Sequence, residues 1–392
     1  MSSTSSLGLS SLQNDPKKLV EYLLSDLRNL STEAKKKHNH VKEAAESGIV
    51  KVRNISTNSQ PENLLQNIRA ACAEVLHPLI LGCSSKNPKL VQISLQAVQR
   101  MLQFRVVDPT SAPVIVNELW HLTEAECEEL RVLQTITPFV STELLVTDWA
   151  LAKCIVLAIK LNFSKDPSVI NAASAAVRQL FSCVFERVIQ EDGLKSGELQ
   201  IVQNTGKKQQ LNQQQHNMAP PTLRPAAADG YLLLKDLTLL IRKENPVWLA
   251  GCKRITMTLA LELLESVLKN YPSMFFKHAE YADLLKNHIC PQLVRMFIGE
   301  AEIRLSTIAP SNQTKSPEDS AFRLSVTDAI YNFQQQQQQS APTSCSKPGF
   351  PIMMRSLRIA LVLVTHYHSI LALQNEVLIT FLLQLIPQHP AL

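Results

Sequence analysis

A chain of 392 residues that is 45% hydrophobic and 19% charged can bury a sizeable core, which excludes disorder of the whole. Ten glycines, far below the roughly 7% average, leave few left-handed turns and bulges, so a strand-rich fold is excluded too. A net charge of +5 with both signs interleaved lacks the basic stripe of a nucleic-acid-binding protein.

Residues 1–13 are Ser-rich and polar and read as disordered, with no charged leader and apolar core to suggest secretion. Asp15-Pro16 then opens a helix, because Asp can cap free amides and Pro loses nothing at the first helical position. Leu19, Leu23, Leu27 and Leu30 follow on one face. A second helix is predicted over Thr32 to Ile55, where Val41, Ala44, Ala45, Gly48, Val52 and Ile55 share an arc about 100° wide. Further helices are predicted from Pro61, from Pro88, and over Ala112 to Leu122, Glu124 to Phe139, Thr142 to Leu161 and Pro167 to Gln190. Their short connectors favour antiparallel neighbours.

From Gly193 to Ala228 the chain becomes rich in Gln and Pro and reads as a flexible linker. Helices resume at Tyr231. Met257, Ala260, Leu261, Leu264, Val267 and Leu268 form one apolar face and Leu259 and Leu263 a second, which predicts a helix packed between layers. A second polar segment spans Ser306 to Pro348 and holds Gln334 to Gln339. Two last helices are expected over Ile352 to Ala372 and Asn375 to Leu385. The run Leu357 to Leu373 is apolar but interrupted, too short to span a bilayer, and reads as a core helix. The chain then ends without a polar capping helix, which suggests a fragment or short isoform. Repeated helix pairs without a sharp repeat predict an all-α, armadillo- or HEAT-like solenoid of antiparallel helix pairs with polar insertions.

Chemistry is hard to find in the pattern. Cys72, Cys83, Cys127, Cys154, Cys183, Cys252, Cys290 and Cys345 form no C-x-x-C pair and read as buried thiols in a reducing compartment, not as zinc ligands. His366 and His368 are two apart, which on a helix turns them about 200° from each other. His288 and Cys290 share that spacing. No nucleophile elbow, phosphate loop or H-E-x-x-H is present, so no catalytic residue, cofactor site or metal site is predicted. Trp120, Trp149 and Trp248 read first as core residues and second as interface anchors. The most basic feature is Lys35, Lys36 and Lys37 with Lys42, Lys51 and Arg53 beyond. Interspersed Glu33, Glu43 and Glu46 favour a solvated helix face, but Lys35, Lys42, Lys51 and Arg53 are the best candidates for contact with an acidic partner or anionic membrane.

Two stretches carry a resemblance. KKKHNHVKEAAESGIVKVR, from Lys35 to Arg53, and WLAGCKRITMTLALELLESVLKNYPSMFFKHAEYADLLKNHICP, from Trp248 to Pro291, resemble the Mon-two (monensin-sensitivity) family. Leu90 to Leu102 and Asn171 to Asp192 fit as well. These proteins are relatives of the large Arf guanine-nucleotide exchange factors. The resemblance implies a dimerisation and cyclophilin-binding-like domain over 14–192, the linker at 193–228, and a partial homology-upstream-like domain over 229–392 interrupted at about 306–348. It further implies a non-enzymatic scaffold or regulator of traffic between endosomes and Golgi, peripheral on those membranes. A Dopey-family protein, an Arf-like GTPase and self-association are the implied partners. The exchange factors' Phe-Arg-Leu-Pro-Gly-Glu motif has no counterpart, since Gly197-Glu198 and Gly299-Glu300 lack that context. The Asn/Tyr-Asp box expected further on is also missing. An Arf-family exchange factor or its regulatory subunit is the enzymatic alternative, and a soluble armadillo-type peptide carrier is a third.

Overall fold

The computed structural model describes residues 15–34, 37–142, 145–194, 219–296 and 350–385. These fall into two compact units divided between Leu285 and Lys286. Among the described residues the structure is helical with no strand.

In the first unit, α1 (Pro16–Ala34) begins where the Asp15 carboxylate accepts the Lys17 amide at 3.0 Å. Its Leu19, Leu23, Leu27 and Leu30 are fully buried, and Ser31 and Ala34 extend the stripe. That continuation keeps Thr32 to Ala34 in α1, so α2 (Asn39–Asn58) starts later than its periodicity suggests. Val41, Ala45, Gly48 and Val52 form its buried face. The helix expected from Pro61 breaks at Ala71 into α3 (Leu64–Ala70) and α4 (Cys72–Ser84). α5 (Pro88–Gln103) repeats the opening device of α1, with the Asn87 side chain accepting from Lys89 N at 3.1 Å ahead of Pro88.

α6 (Ala112–Glu124) and α7 (Glu129–Ser141) are separated by a turn that falls a few residues later than the break expected at Thr123. There Glu126 and Glu128 take positive φ, and Cys127 N returns to Leu122 O at 3.0 Å, closing the end of α6. α8 (Asp148–Leu161) starts six residues after Thr142, with Asp148 also at positive φ. α9 (Pro167–Gly193) is capped by Asp166, whose carboxylate accepts Ser168 N at 2.8 Å. α10 (Pro225–Ile241) begins inside the stretch read as a linker, whose residues 195–218 lie outside the described ones. α11 (Met257–Asn270), α12 (Pro272–Lys277) and α13 (Ala279–Leu284) complete the unit.

The helices stack in two layers. α1, α5, α7, α9 and α11 lie side by side in one, and α2, α4, α6, α8 and α10 in the other. Successive helices pack across the layers, as α4 does on α5 and α9 on α10. This is the solenoid arrangement, in which each helix pair hides its apolar stripe only against its neighbours. α11 is apolar on two sides because both are covered: Leu259, Leu261, Leu263, Leu264, Val267 and Leu268 are all buried. α9 is long and apolar enough to cross a bilayer, but it packs against α7, α8, α10 and α11 as a core helix.

Polar contacts fasten the downstream helices to α9. Arg187 donates to the carbonyls of Val146 at 2.8 Å, Thr142 at 3.3 Å and Val140, closing the connection between α7 and α8. The Glu191 carboxylate accepts the amides of Ala226 and Ala227 at 3.2 and 3.0 Å, capping α10 from outside. Arg224 donates back to Glu191 O at 2.7 Å. Asp192 holds Lys277 at 3.1 Å and His278 at 3.0 Å. The Tyr281 hydroxyl, fully buried, donates to Ala227 O at 2.7 Å. Gly230 makes this closeness possible: a Cβ there would sit 2.6 Å from the Tyr281 oxygen and 2.9 Å from Val188 Cγ2.

Asp229 lies buried in the same junction and accepts Asp148 N at 3.1 Å. Burial pushes its carboxyl up to about 7 from the ordinary 3.8, with Arg187 opposing the shift and Asp148 and Glu191 adding to it.

In the second unit, α14 (Phe350–His366) and α15 (Ala372–Leu385) form a hairpin whose inner face includes Ile359, Leu363, Leu371 and Leu378. α14 stops at His366, earlier than its apolar run suggests, because Tyr367 turns inward and is fully buried. His366 and His368 therefore flank that turn, both exposed, instead of lying on one helix. The polar segment at 306–348 lies outside the described residues.

Two outcomes follow from the junction. Gly230→Ala should lower stability to urea by about 1–3 kcal/mol, since Tyr281, Val188 and Phe185 leave it no room. Asp229→Asn keeps an acceptor for Asp148 N but removes the titration. Because the folded pKa is raised, wild-type stability falls as pH climbs from about 4 to about 7. The Asn variant should thus gain on wild type by a few kcal/mol, roughly, between pH 4 and pH 8, read as the difference in melting temperature.

Candidate functional site

Several buried polar groups hold the fold together. Asp26 pairs with Arg100 at 2.5 Å, joining α1 to α5. Asp236 accepts Leu249 N at 2.7 Å and steadies the connection between α10 and α11. Burial raises Cys154 and Cys290 to about 12 and Cys252 to about 11, which leaves these thiols protonated and unreactive at neutral pH. Among the described residues no three His, Cys, Asp or Glu side chains come together as metal ligands. Two surfaces stand out as functional candidates among the described residues.

The first is a groove of about 390 Å³ between α2 and α4. Ala44, Ser47 and Gly48 form a low wall on α2, and Pro78, interrupting the hydrogen bonding of α4, lies against Gly48. His40, Glu43, Lys51, Glu74 and His77 ring it with mixed charge. Of the sequence-selected cations only Lys51 lines this groove, and the others meet different fates. Lys51 reaches across it to Glu74 at 2.7 Å. Lys42 faces Glu46 one turn along α2 at 3.9 Å. Arg53 is exposed with no carboxylate partner among the described residues, and Lys35 lies outside them. Exposed pairs of this kind contribute at most about 1 kcal/mol, but they cancel much of the local field.

The second surface lies on the same layer, over α6 and α8. Apart from Asp148 at its start, α8 exposes only Trp149, Lys153 and Lys160, a single stripe on an otherwise buried helix. Trp120 of α6 completes it. The Lys153 ammonium stands 4.9 Å from the Trp149 ring centre and 5.8 Å from that of Trp120, and Lys160 stands 4.3 Å from Trp120. Trp120 donates its indole hydrogen to Glu124 at 2.8 Å. Of the three tryptophans only Trp248 is a core residue, 4% exposed. Trp120 and Trp149 are half-buried. The signal in the sequence is the spacing of Trp149, Lys153 and Lys160, four and seven residues apart, which returns to one helix face.

Comparison with known proteins fits this architecture. Residues 14–192 match the dimerisation and cyclophilin-binding domain of Mon2/Sec7/BIG1-like proteins, and residues 226–309 match their HUS domain. Monensin-resistant homolog 2 of Caenorhabditis elegans is 51% identical over 95% of this chain and 21% of its own length. Protein MON2 homolog of Homo sapiens is 36% identical over 94% of the chain and 19% of its own length. Protein MON2 of Saccharomyces cerevisiae is 21% identical over 70% of the chain. The chain thus spans about a fifth of the length of the animal relatives it matches. With both domain models of these proteins matched in order along the sequence, the chain belongs to the Mon2 family of Sec7-related proteins.

Proposed function

We propose that this chain acts as a non-enzymatic scaffold in vesicle traffic between endosomes and Golgi, through protein contacts and peripheral association with those membranes. The observation that carries the reading is the match of residues 14–192 to a domain described by dimerisation and cyclophilin binding, on a solenoid whose buried polar groups serve the fold. A protein of that build works by presenting helix faces. Self-association is the partner mode nearest to the domain's description. A Dopey-family protein and an Arf-like GTPase are the further partners in this reading, and residues 14–192 and 229–392 supply separate contacts to them.

Pull-down of the tagged chain from cell extract, read by mass spectrometry, should recover a Dopey-type protein, a Golgi Arf-like GTPase or the chain's own longer relative. Recovery of none of these would contradict the scaffold reading for this part of the protein. The enzymatic alternative, exchange on an Arf-family GTPase, rests on kinship with the Sec7-like proteins. Fluorescent nucleotide release from an Arf-type GTPase should show no acceleration by this chain, and a saturable acceleration would replace the scaffold with an exchange factor.

A further inference from the structure

We propose that the Trp120–Trp149 face, together with the connection between α10 and α11, is a contact surface for anionic lipid membranes. The proposal rests on the peripheral-membrane reading above and assigns that role to named residues.

Charge complementarity is the first argument. Lys153 and Lys160 hold their ammoniums against tryptophan rings, not carboxylates, and Lys153 also donates to the neutral Asn117 amide at 3.0 Å. Arg254 lies with its guanidinium 4.4 Å from the ring centre of Phe163, just beyond the end of α8. Lys253 beside it is exposed. Among the described residues none of these four cations is in an ion pair, in contrast to Lys42 and Lys51 beside the α2–α4 groove. Glu124, which accepts the Trp120 indole hydrogen, and Asp148 at the start of α8 are the acids beside these four cations. The face therefore carries a net positive charge.

The second argument is the alternation of cations with apolar surface. Trp120 and Trp149 are half-buried, and Val247 is 57% exposed on the adjoining connection. Tryptophan rings sit well at the headgroup level of a bilayer, where one side is apolar and the other wet. Lys and Arg beside them can lay their stems along the same boundary with the charge on phosphate. An acidic peptide would satisfy the cations but would leave Val247 and the indole edges without a use.

The third argument is rigidity. Gly251, at φ +89, leans against Trp120, and a Cβ there would lie 3.2 Å from the ring. Trp248, Leu249 and Cys252 are buried, and Asp236 accepts Leu249 N, so the connection bearing Lys253 and Arg254 is held in place beside α6 and α8. Membrane contact then needs no reordering of the surface, which limits the entropy lost on binding.

The test is co-sedimentation of the full chain with phosphatidylcholine vesicles, with and without about 30% phosphatidylserine, a content that gives the negative surface potential these cations would meet. Wild type should partition onto the anionic vesicles only, and about 0.5 M NaCl should release it. Lys253→Glu with Arg254→Glu, both at exposed positions, should lower partitioning at least about tenfold. Vesicle addition should shift tryptophan emission to the blue, less so in Trp149→Ala, and an unchanged shift in that variant overturns the placement of Trp149 on the membrane. Lys42→Glu with Arg53→Glu should bind as wild type. Unchanged binding by the first pair, or equal loss by the second, overturns this surface while leaving the membrane-associated scaffold standing. No binding of wild type to anionic vesicles overturns both the surface and the membrane part of that reading. Capture by poly-glutamate without vesicle binding would hand the face to an acidic protein and overturn the lipid assignment.

Discussion

The half-buried guanidinium of Arg187 is the contact on which the first unit depends. It gives three hydrogen bonds to carbonyls left over where α7 ends and α8 has not begun. Such carbonyls have no helical partner, and burying them unpaired would be costly. Asp229 from α10 sits near enough to favour the charge. One turn further along α9, Glu191 caps α10, and Asp192 beyond it holds Lys277 and His278. One helix thus closes the upstream repeats and founds the downstream ones. Removing the Arg187 guanidinium would leave these carbonyls without their donor, which makes the junction specific as well as firm.

Much of this order can be read from the residues. The leucines of α1 and the paired faces of α11 announce their burial through spacing, because a helix can bury only what returns every three or four residues. Asp15-Pro16, Asn87-Pro88 and Asp166-Pro167 mark helix starts, each with a side chain that accepts an otherwise free amide. Helix ends are less legible. The break at Ala71 involves no glycine or proline, so the apolar pattern runs through it, and for the same reason the turn at Glu126 and Glu128 falls later than the break expected at Thr123. The start of α10 was hidden for another reason: its cap is Glu191, thirty-five residues upstream of Ala226.

The surface was harder still. Sequence displays cations without their partners. Lys51 looks free until the fold brings Glu74 beside it, and Lys153 looks buried in an apolar helix until the fold turns it onto two tryptophans. Lys42 and Lys51, selected in the sequence, each face a carboxylate, while the cations resting on aromatic rings lie on α8 and the α10–α11 connection. Membership of the Mon2 family agrees with a protein that works by surfaces, and the two layers determine which side chains those surfaces can show.

The central claim is that α9 joins the upstream and downstream helices into one cooperative body. Native-state hydrogen exchange on the full chain tests it directly. Slow amides of α7 to α11 should share a single opening free energy and denaturant dependence, as members of one unfolding unit. Amides of α10 and α11 that open independently, at a lower free energy than those of α7 and α8, would contradict the claim and make α9 the end of one body instead of the link between two.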